Sequence, residues 1–134
     1  MNTLRILLAD DHPVVRAAIS EYLRAHDGVE FVAEVANGSA AVEATLQCKP
    51  DIVLLDNRMP ERSGMDATRA IKSAMPDARV YVMSFTAGSV YADQARCMSA
   101  DGFIDKRTLK HSIEEMLRTE GSVSKNVVAV TAAA

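Results

Sequence analysis

Short apolar runs alternate along this chain with longer segments in which apolar residues recur every three or four positions. The runs lie at 4–9, 30–35, 51–56, 79–84 and 102–106. The periodic segments lie at 14–25, 40–48, 65–75, 89–99 and 109–119. Short apolar runs are typical of buried strands, and longer segments with helical spacing are typical of amphipathic helices. The pattern therefore predicts a β-strand followed by an α-helix, repeated five times.

Strands that are joined by helical crossovers lie parallel in their sheet, and the crossovers are almost always right-handed. The runs "ILLA" and "IVLL" are continuous rather than alternating, which indicates strands that are covered on both faces. The sequence thus predicts an α/β fold with a doubly wound, five-stranded parallel sheet. Strand order 2-1-3-4-5 is the commoner arrangement for a chain of this size.

Helical spacing also predicts which side chains the helices turn toward the sheet. In the first helix these are Val14, Ala18, Tyr22 and Ala25. In the last helix they are Leu109, Ile113, Met116 and Leu117.

The length of 134 residues suits one domain. We expect that domain to span 1–120. Residues 121–134 show no helical period and end in small residues, so they are interpreted as a linker stub or a disordered tail.

Charge and hydropathy exclude several classes of protein. The net charge is −3 and both signs are mixed along the chain, which argues against a dedicated nucleic-acid surface. No apolar stretch approaches the ~20 residues of a membrane span. The N-terminal stretch meets acidic residues too early for a signal peptide. These features favour a cytoplasmic protein with no membrane partner.

Polar residues follow several predicted strands at the point where each strand ends. Asp10 and Asp11 follow the first strand, Asp56 ends the third, Ser84 ends the fourth and Lys106 ends the fifth. In a doubly wound sheet, ligands bind beyond the carboxyl ends of the strands, where the strand order reverses. We therefore expect these side chains to converge at one edge of the sheet.

The negative charge of three carboxylates in one pocket must be compensated. Two unit charges ~4 Å apart repel by about 4 kcal/mol at an effective dielectric constant of ~20. Oxygen ligands of this kind suit Mg²⁺, which keeps several of its waters. A carboxylate nucleophile, a metal, a hydroxyl group and an ammonium group together supply the parts for phosphoryl transfer.

Four stretches of the sequence resemble the receiver domain of two-component response regulators, and the first loop resembles the NarL/LuxR type. They are "LLADDHPVVR", "NGSAAVE", "PDIVLLDNRMPERSGMDATRAIK" and "ADGFIDK". The resemblance covers residues 4 to about 119. It implies the flavodoxin-like fold of receiver domains, with the sheet order given above.

The resemblance also implies roles for the acidic residues. Asp56 corresponds to the phosphoacceptor aspartate, which is phosphorylated by a histidine kinase or a phosphotransfer protein. Asp11 and Asp56 are expected to bind Mg²⁺ or Mn²⁺ directly, Asp10 is expected to act largely through water, and the backbone carbonyl of Arg58 corresponds to a further ligand. The protein is then a signalling switch rather than an enzyme in the ordinary sense.

Three further residues correspond to the parts that complete the reaction and transmit it. Lys106 corresponds to the lysine of the family, Ser84 to the switch hydroxyl and Phe103 to the switch aromatic. The resemblance implies a homodimer on phosphorylation and control of transcription through a DNA-binding domain that is absent from this chain. A stand-alone receiver that acts through protein contacts is the alternative.

Some positions depart from the family pattern, and two other classes of protein stay open. Phe85 stands where a small residue is common, Arg107 where proline is frequent, and "MPERSGMD" replaces the usual loop. A phosphatase of the haloacid-dehalogenase type also uses an aspartate nucleophile, but it requires a second aspartate where Arg58 stands. A phosphorylation-independent pseudo-receiver is expected to lack the acidic pair or the lysine. His12 is interpreted as a surface residue without a role.

Overall fold

The computed structural model describes residues 3–85 and 100–133, and it describes side chains as far as Gly121. The strands are β1 Leu4–Ala9, β2 Val29–Val35, β3 Ile52–Asp56, β4 Arg79–Ser84 and β5 Gly102–Asp105. The helices within these ranges are α1 Pro13–Arg24, α2 Gly38–Cys48, α3 Gly64–Ala74 and α4 Leu109–Ala133. Each predicted strand is confirmed to within one residue. The helix that was predicted at 89–99 lies outside the described residues.

The five strands form one parallel sheet in the order β2-β1-β3-β4-β5, as predicted. The order reverses between β1 and β3, which are direct neighbours with Ala9 opposite Leu55. The residues that follow these two strands therefore lie side by side at the carboxyl edge. Further along the same edge, Ser84 of β4 is opposite Asp105 of β5.

Two apolar layers cover the sheet because successive side chains of a strand point to opposite faces. On one face Ile6 and Leu8 of β1 pack with Ile19 of α1 and Ile113 of α4. The other layer lies under α2 and α3; its buried members are Leu7, Ala9, Ala41, Val53, Leu55, Ala67, Ile71, Ala78 and Val80. Continuous apolar runs in β1 and β3 are thus the consequence of cover on both faces.

The predicted buried face of α1 is wrong except at Tyr22, which packs against the core, whereas that of α4 is confirmed. In α1 the fully buried apolar side chains are Ile19 and Leu23, and Val14 is 82% exposed. The predicted face relied on two alanines, which have little apolar area to remove from water. The larger aliphatic side chains one position further on gain more from burial and set the orientation of the helix.

The segment after residue 120 also differs from the expectation. The backbone of α4 continues as a helix to Ala133, where a linker stub or disordered tail was predicted. Alanine has the highest helix propensity, and a helix can form without an amphipathic pattern. The interpretation of 121–134 as a linker stub or a disordered tail stays a prediction. No helix in the described part of the chain is long and apolar enough to cross a membrane.

Candidate functional site

The carboxyl edge of the sheet brings the predicted acidic residues together with Lys106. Asp10 directly follows β1 and is fully buried, and Asp56 is the last residue of β3 and is 3% exposed. Asp11 comes one residue later and is partly exposed. Oxygen atoms of these three carboxylates and a ring nitrogen of His12 all lie within 4.8 Å of one another. The predicted convergence is confirmed as geometry.

The start of α3 packs directly against the chain that leaves β3. A Cβ atom on Gly64 would lie 2.4 Å from the carbonyl oxygen of Asp56, so only glycine permits this approach. The amide of Gly64 donates a hydrogen bond of 2.9 Å to the carbonyl of Asn57. Ser63 caps the helix by accepting from the amide of Asp66. The loop that follows Asp56 is thus held at both ends.

Lys106 lies between two of the carboxylates. Its Nζ atom lies 2.5 Å from Asp10 Oδ2 and 3.1 Å from Asp56 Oδ1. The side chain of Lys106 is 1% exposed, so this ammonium group interacts with both acids away from bulk water. The Phe85 ring is close to the same ammonium group, with the centroid 5.4 Å away, and is itself 54% exposed. One cation therefore compensates part of the negative charge.

Two carboxylate oxygens remain without a hydrogen bond. Asp11 Oδ1 and Asp56 Oδ2 are buried and have no hydrogen-bond partner among the described residues. Both lie near the His12 ring, 3.1 and 3.4 Å from its Nδ1 atom, but neither contact is aligned as a hydrogen bond. An unsatisfied buried oxygen costs free energy, and native structures keep few of them. Such an oxygen suggests a site for a ligand.

Burial raises the pKa of Asp56 to about 6. The neighbouring Lys106 ammonium opposes this increase, and the Asp10 carboxylate adds to it. Loss of hydration destabilises the charged form of a buried acid, which is the first cause here. The ionised carboxylate at neutral pH is therefore less stable than an exposed one and interacts strongly with added positive charge.

The residues present fit a hard divalent cation. Three carboxylates offer oxygen ligands, which Mg²⁺ prefers, and two of these oxygens have no other partner. With all three acids ionised, the Lys106 ammonium balances only one of the three negative charges. A cation at this position would lie next to Asp56.

The remaining predicted residues lie around this cluster. Ser84 ends β4 and is 7% exposed, so its hydroxyl group is at the same edge. Arg58 follows Asp56 by two positions, and its side chain is exposed. Phe103 lies on β5, half-buried, and packs against Val82. These positions agree with the predicted roles, which the geometry alone does not test.

His12 is the residue that the sequence interpretation missed. It was considered a surface residue, but its ring lies among the carboxylates, and Nδ1 is 3.1 Å from Asp10 Oδ1. Its side chain is 54% exposed, so one part of the ring faces solvent and the other faces the site. The signal in the sequence was its position between the acidic pair and Pro13, which begins α1.

Comparison with known proteins agrees with this geometry. Residues 6–118 match the response regulator receiver domain family. The response regulator protein VraR of Staphylococcus aureus is 32% identical over 116 residues, which are 87% of this chain and 56% of that protein. The chain spans little more than half the length of the curated relatives that it matches.

Solved structures show the same relationship. The signal receiver domain of the response regulator NarL from Mycobacterium tuberculosis is 29% identical with a TM-score of 0.82, and the match covers 89% of this chain and 96% of that one. A LuxR-family two-component response regulator from an Aurantimonas species is 33% identical with a TM-score of 0.77, covering 88% and 87% of the two chains. The chain therefore belongs to the response regulator receiver domain family and is a receiver domain of the NarL/LuxR type.

Proposed function

We propose that Asp56 accepts a phosphoryl group in a metal-dependent reaction and that this event switches the conformation of the domain. The observation that carries the proposal is the buried Asp56 carboxylate. One of its oxygens contacts Lys106, and the other lies without a hydrogen-bond partner beside Asp10 and Asp11. Hydrogen bonds from the described residues therefore do not occupy this carboxylate fully.

The transfer makes one bond and breaks one. An oxygen of the Asp56 carboxylate attacks phosphorus while the bond from phosphorus to the donor breaks. In a phosphohistidine donor that bond is P–N, and the leaving imidazole takes a proton from water. The product is an aspartyl phosphate, which is a known covalent form of carboxylate nucleophiles.

Lys106 and the acidic residues stabilise the charge that moves in this step. Phosphoryl transfer depends on in-line positioning and on neutralising charge over the equatorial oxygens. The Lys106 ammonium, 3.1 Å from Asp56, is positioned to interact with a phosphoryl oxygen. Mg²⁺ or Mn²⁺, held by Asp11, Asp56 and the Arg58 carbonyl, with Asp10 acting largely through water, would neutralise further charge.

Ser84 and Phe103 are the proposed switch. The phosphoryl group adds negative charge and hydrogen-bond acceptors at the end of β3, next to the end of β4 where Ser84 lies. Movement of the Ser84 hydroxyl toward that group would leave space beside β5, which Phe103 would fill by turning inward. Phe103 is half-buried and packs at Val82, so a rotation changes both packing and exposed surface.

The output of the switch is expected outside this chain. The curated relatives are nearly twice as long as the segment that matches. We propose a histidine kinase or a phosphotransfer protein as the phosphodonor and the cytoplasm as the compartment. A homodimer and a DNA-binding domain elsewhere in a longer protein would then control transcription. A receiver that acts alone through protein contacts is the second candidate.

Intact-protein mass spectrometry tests the chemistry. The protein is incubated with acetyl phosphate, with and without Mg²⁺, and compared with Asp56→Ala and with Asp77→Ala. Asp77 is an exposed aspartate in the turn between α3 and β4 and serves as the matched control. We expect one phosphoryl group on the wild type and on Asp77→Ala, only when Mg²⁺ is present, and none on Asp56→Ala.

Two results would contradict the proposal. Phosphorylation that survives Asp56→Ala would mean that another group is the acceptor. No gain in mass with acetyl phosphate or phosphoramidate would favour a pseudo-receiver that acts without phosphorylation.

A further inference from the structure

His12 occupies a helix-capping position, but its side chain does not cap the helix. It is the N-cap of α1, with φ −92° and ψ 107°, and its side chain makes no capping hydrogen bond. Serine, threonine, aspartate and asparagine are preferred there because their side chains accept from a free helix amide. A position that departs from a local folding preference is often functional. The His12 ring must therefore be explained by its other contacts.

Those contacts are the carboxylates of the acidic site. Nδ1 of His12 makes a hydrogen bond of 3.1 Å with Asp10 Oδ1, and it lies 3.1 Å from Asp11 Oδ1 and 3.4 Å from Asp56 Oδ2 without a hydrogen bond to either. The backbone amide of His12 also donates to Asp10 Oδ1 over 2.9 Å, which fixes the residue at the edge of the site. One ring nitrogen thus faces three carboxylate oxygens at once.

These separations match the edges of a metal coordination shell. Zinc binds histidine nitrogen and carboxylate oxygen at about 2.0–2.2 Å, so neighbouring ligands are about 3.0 Å apart in an octahedron and about 3.4 Å apart in a tetrahedron. The three distances from Nδ1 lie within that range or close to it. No two of the four ligand atoms are more than 4.8 Å apart. Side-chain rotations that shorten the widest of these separations would bring all four atoms to one centre.

An independent feature indicates that a ligand belongs at this point. Asp56 Oδ2 is buried without a hydrogen-bond partner among the described residues, and it is the oxygen that faces the His12 ring. The Asp56 side chain is only 5% exposed, so bulk water does not readily replace the missing partner. A cation between Asp56 and His12 would satisfy this oxygen.

We propose that His12 is a metal ligand of the acidic site and gives it a preference for a borderline transition-metal ion such as Zn²⁺ over Mg²⁺. The inference rests on the proposed function, because it concerns the same carboxylates. Oxygen ligands alone suit Mg²⁺, whereas an imidazole nitrogen suits zinc and its neighbours and adds little for magnesium. His12 therefore determines which metal ion the site prefers. The carboxylates of Asp10, Asp11 and Asp56 are what allow the site to bind a metal ion.

The competing explanation is that the imidazole only supplies positive charge to the carboxylates. The two roles predict opposite effects when the ring is removed. Loss of a ligand weakens binding of Zn²⁺ selectively. Loss of a counter-charge strengthens binding of every divalent cation, because the carboxylates then lack a competing partner.

Calorimetric titration with Zn²⁺ and with Mg²⁺, each alone and at one fixed pH, separates these roles. The protein carries Cys48→Ser and Cys97→Ser so that thiols do not bind zinc, and it is compared with His12→Asn. Asparagine is a favoured N-cap residue, so this variant is expected to fold. His111→Asn, on the exposed surface of α4, is the matched control. Long-range ¹H–¹⁵N spectra of the imidazoles show directly whether Zn²⁺ shifts a ring nitrogen.

We expect His12→Asn to weaken Zn²⁺ binding by at least about tenfold, as ligand-shell changes do, with Mg²⁺ affinity changed less than threefold and His111→Asn unaffected. Zinc should shift one imidazole nitrogen, and His12→Asn should lose that signal. Equal Zn²⁺ affinity in the wild type and His12→Asn, or tighter binding of both metals in the variant, would overturn the inference but leave the proposed function in place. A wild type that binds neither metal would overturn both.

Discussion

The two edges of the sheet each carry a cluster of charged residues, and the clusters differ in how completely their polar atoms are paired. At the carboxyl edge, the three carboxylates outnumber the single Lys106 ammonium, and Asp56 Oδ2 has no hydrogen-bond partner in the described ranges. At the amino edge, Glu120 of α4 accepts from Tyr81 of β4 over 2.5 Å and contacts Arg79 at 3.3 Å.

The pairing at the amino edge extends across three elements. Asp101, just before β5, accepts from the backbone amide of Val80 and from Lys72 of α3, and it lies 3.5 Å from Arg79. Burial and the hydrogen bond to Glu120 both raise the pKa of Tyr81, so its hydroxyl stays protonated as a donor. These contacts join α3 and α4 to β4.

This difference in pairing distinguishes a charged cluster that stabilises the fold from the charged cluster that the proposed function uses. A buried polar network stabilises a fold when every member is satisfied, and it is costly when a member is left alone. The amino edge meets the first condition. The carboxyl edge does not, and its unsatisfied oxygens are consistent with the proposed site for a cation and a phosphoryl group. Burial alone would not have distinguished the two clusters.

Glu120→Ala should have the largest effect on stability. It leaves the buried Tyr81 hydroxyl without its acceptor, which we expect to lower the free energy of unfolding by about 3 kcal/mol. Glu115→Ala on the exposed side of the same helix is the control and should change it by less than about 0.5 kcal/mol, because its ion pair with Arg118 is exposed. Urea unfolding measures both values. A loss below about 1 kcal/mol for Glu120→Ala would mean that the amino edge is not a structural network.

Asp56→Asn should instead raise the free energy of unfolding. Because the pKa of Asp56 is raised to about 6 in the folded protein, ionised Asp56 destabilises the fold at pH values above that, and the neutral amide removes this cost. We expect a gain of about 2 kcal/mol at pH 8 in the presence of a chelator, decreasing as the pH falls through 6 and absent near the unfolded pKa of ~4.

Urea unfolding across this pH range, with Asp77→Asn as the control, measures the effect. Asp77 is exposed, so its substitution should give no comparable pH dependence. A loss of stability in Asp56→Asn at pH 8 would show that the carboxylate is satisfied in the folded protein, contrary to the comparison of the two edges.

Added Mg²⁺ should stabilise the domain through the carboxyl edge alone. A ligand at ten times its Kd adds about 1.4 kcal/mol to the free energy of unfolding. We expect thermal unfolding to show this gain in the wild type and in Glu120→Gln at the other edge, but not in Asp11→Asn. An equal gain in Asp11→Asn would place the cation elsewhere.

Glu61→Gly should have the smallest effect. Glu61 lies in the loop after β3 with φ 69°, a left-handed conformation that glycine adopts without steric cost. We expect the substitution to raise the free energy of unfolding by about 0.5–1 kcal/mol. Glu43→Gly, at an exposed position within α2, should lose a similar amount. Denaturant unfolding measures both changes. If Glu61→Gly and Glu43→Gly change the free energy of unfolding in the same direction, backbone conformation does not control the effect at Glu61.

Local patterns predicted the sheet and the convergence of polar residues at its carboxyl edge well for a physical reason. Continuous apolar runs end where the chain reaches the edge, so Asp10, Asp56, Ser84 and Lys106 stand out in the sequence as polar residues at strand ends. Parallel strand order then brings them together. Their proximity required no knowledge of side-chain conformation.

The remaining contacts depend on orientations that spacing does not reveal. The pairing of Tyr81 with Glu120 joins residues 39 positions apart and requires that α4 extend past residue 119. The direction of the His12 ring follows from the N-cap conformation of α1, and the face that α1 buries was set by the competition between alanines and larger aliphatic residues. Each is decided by packing rather than by the sequence pattern.

The position of the phosphoryl group is the most direct test of the central claim. The protein is treated with acetyl phosphate and Mg²⁺, reduced with borohydride, which converts an aspartyl phosphate to homoserine, and digested for peptide mass mapping. The account predicts homoserine at position 56 and nowhere else, and only in the sample that contained Mg²⁺. Homoserine at position 10 or 11, or none in any sample, would contradict it.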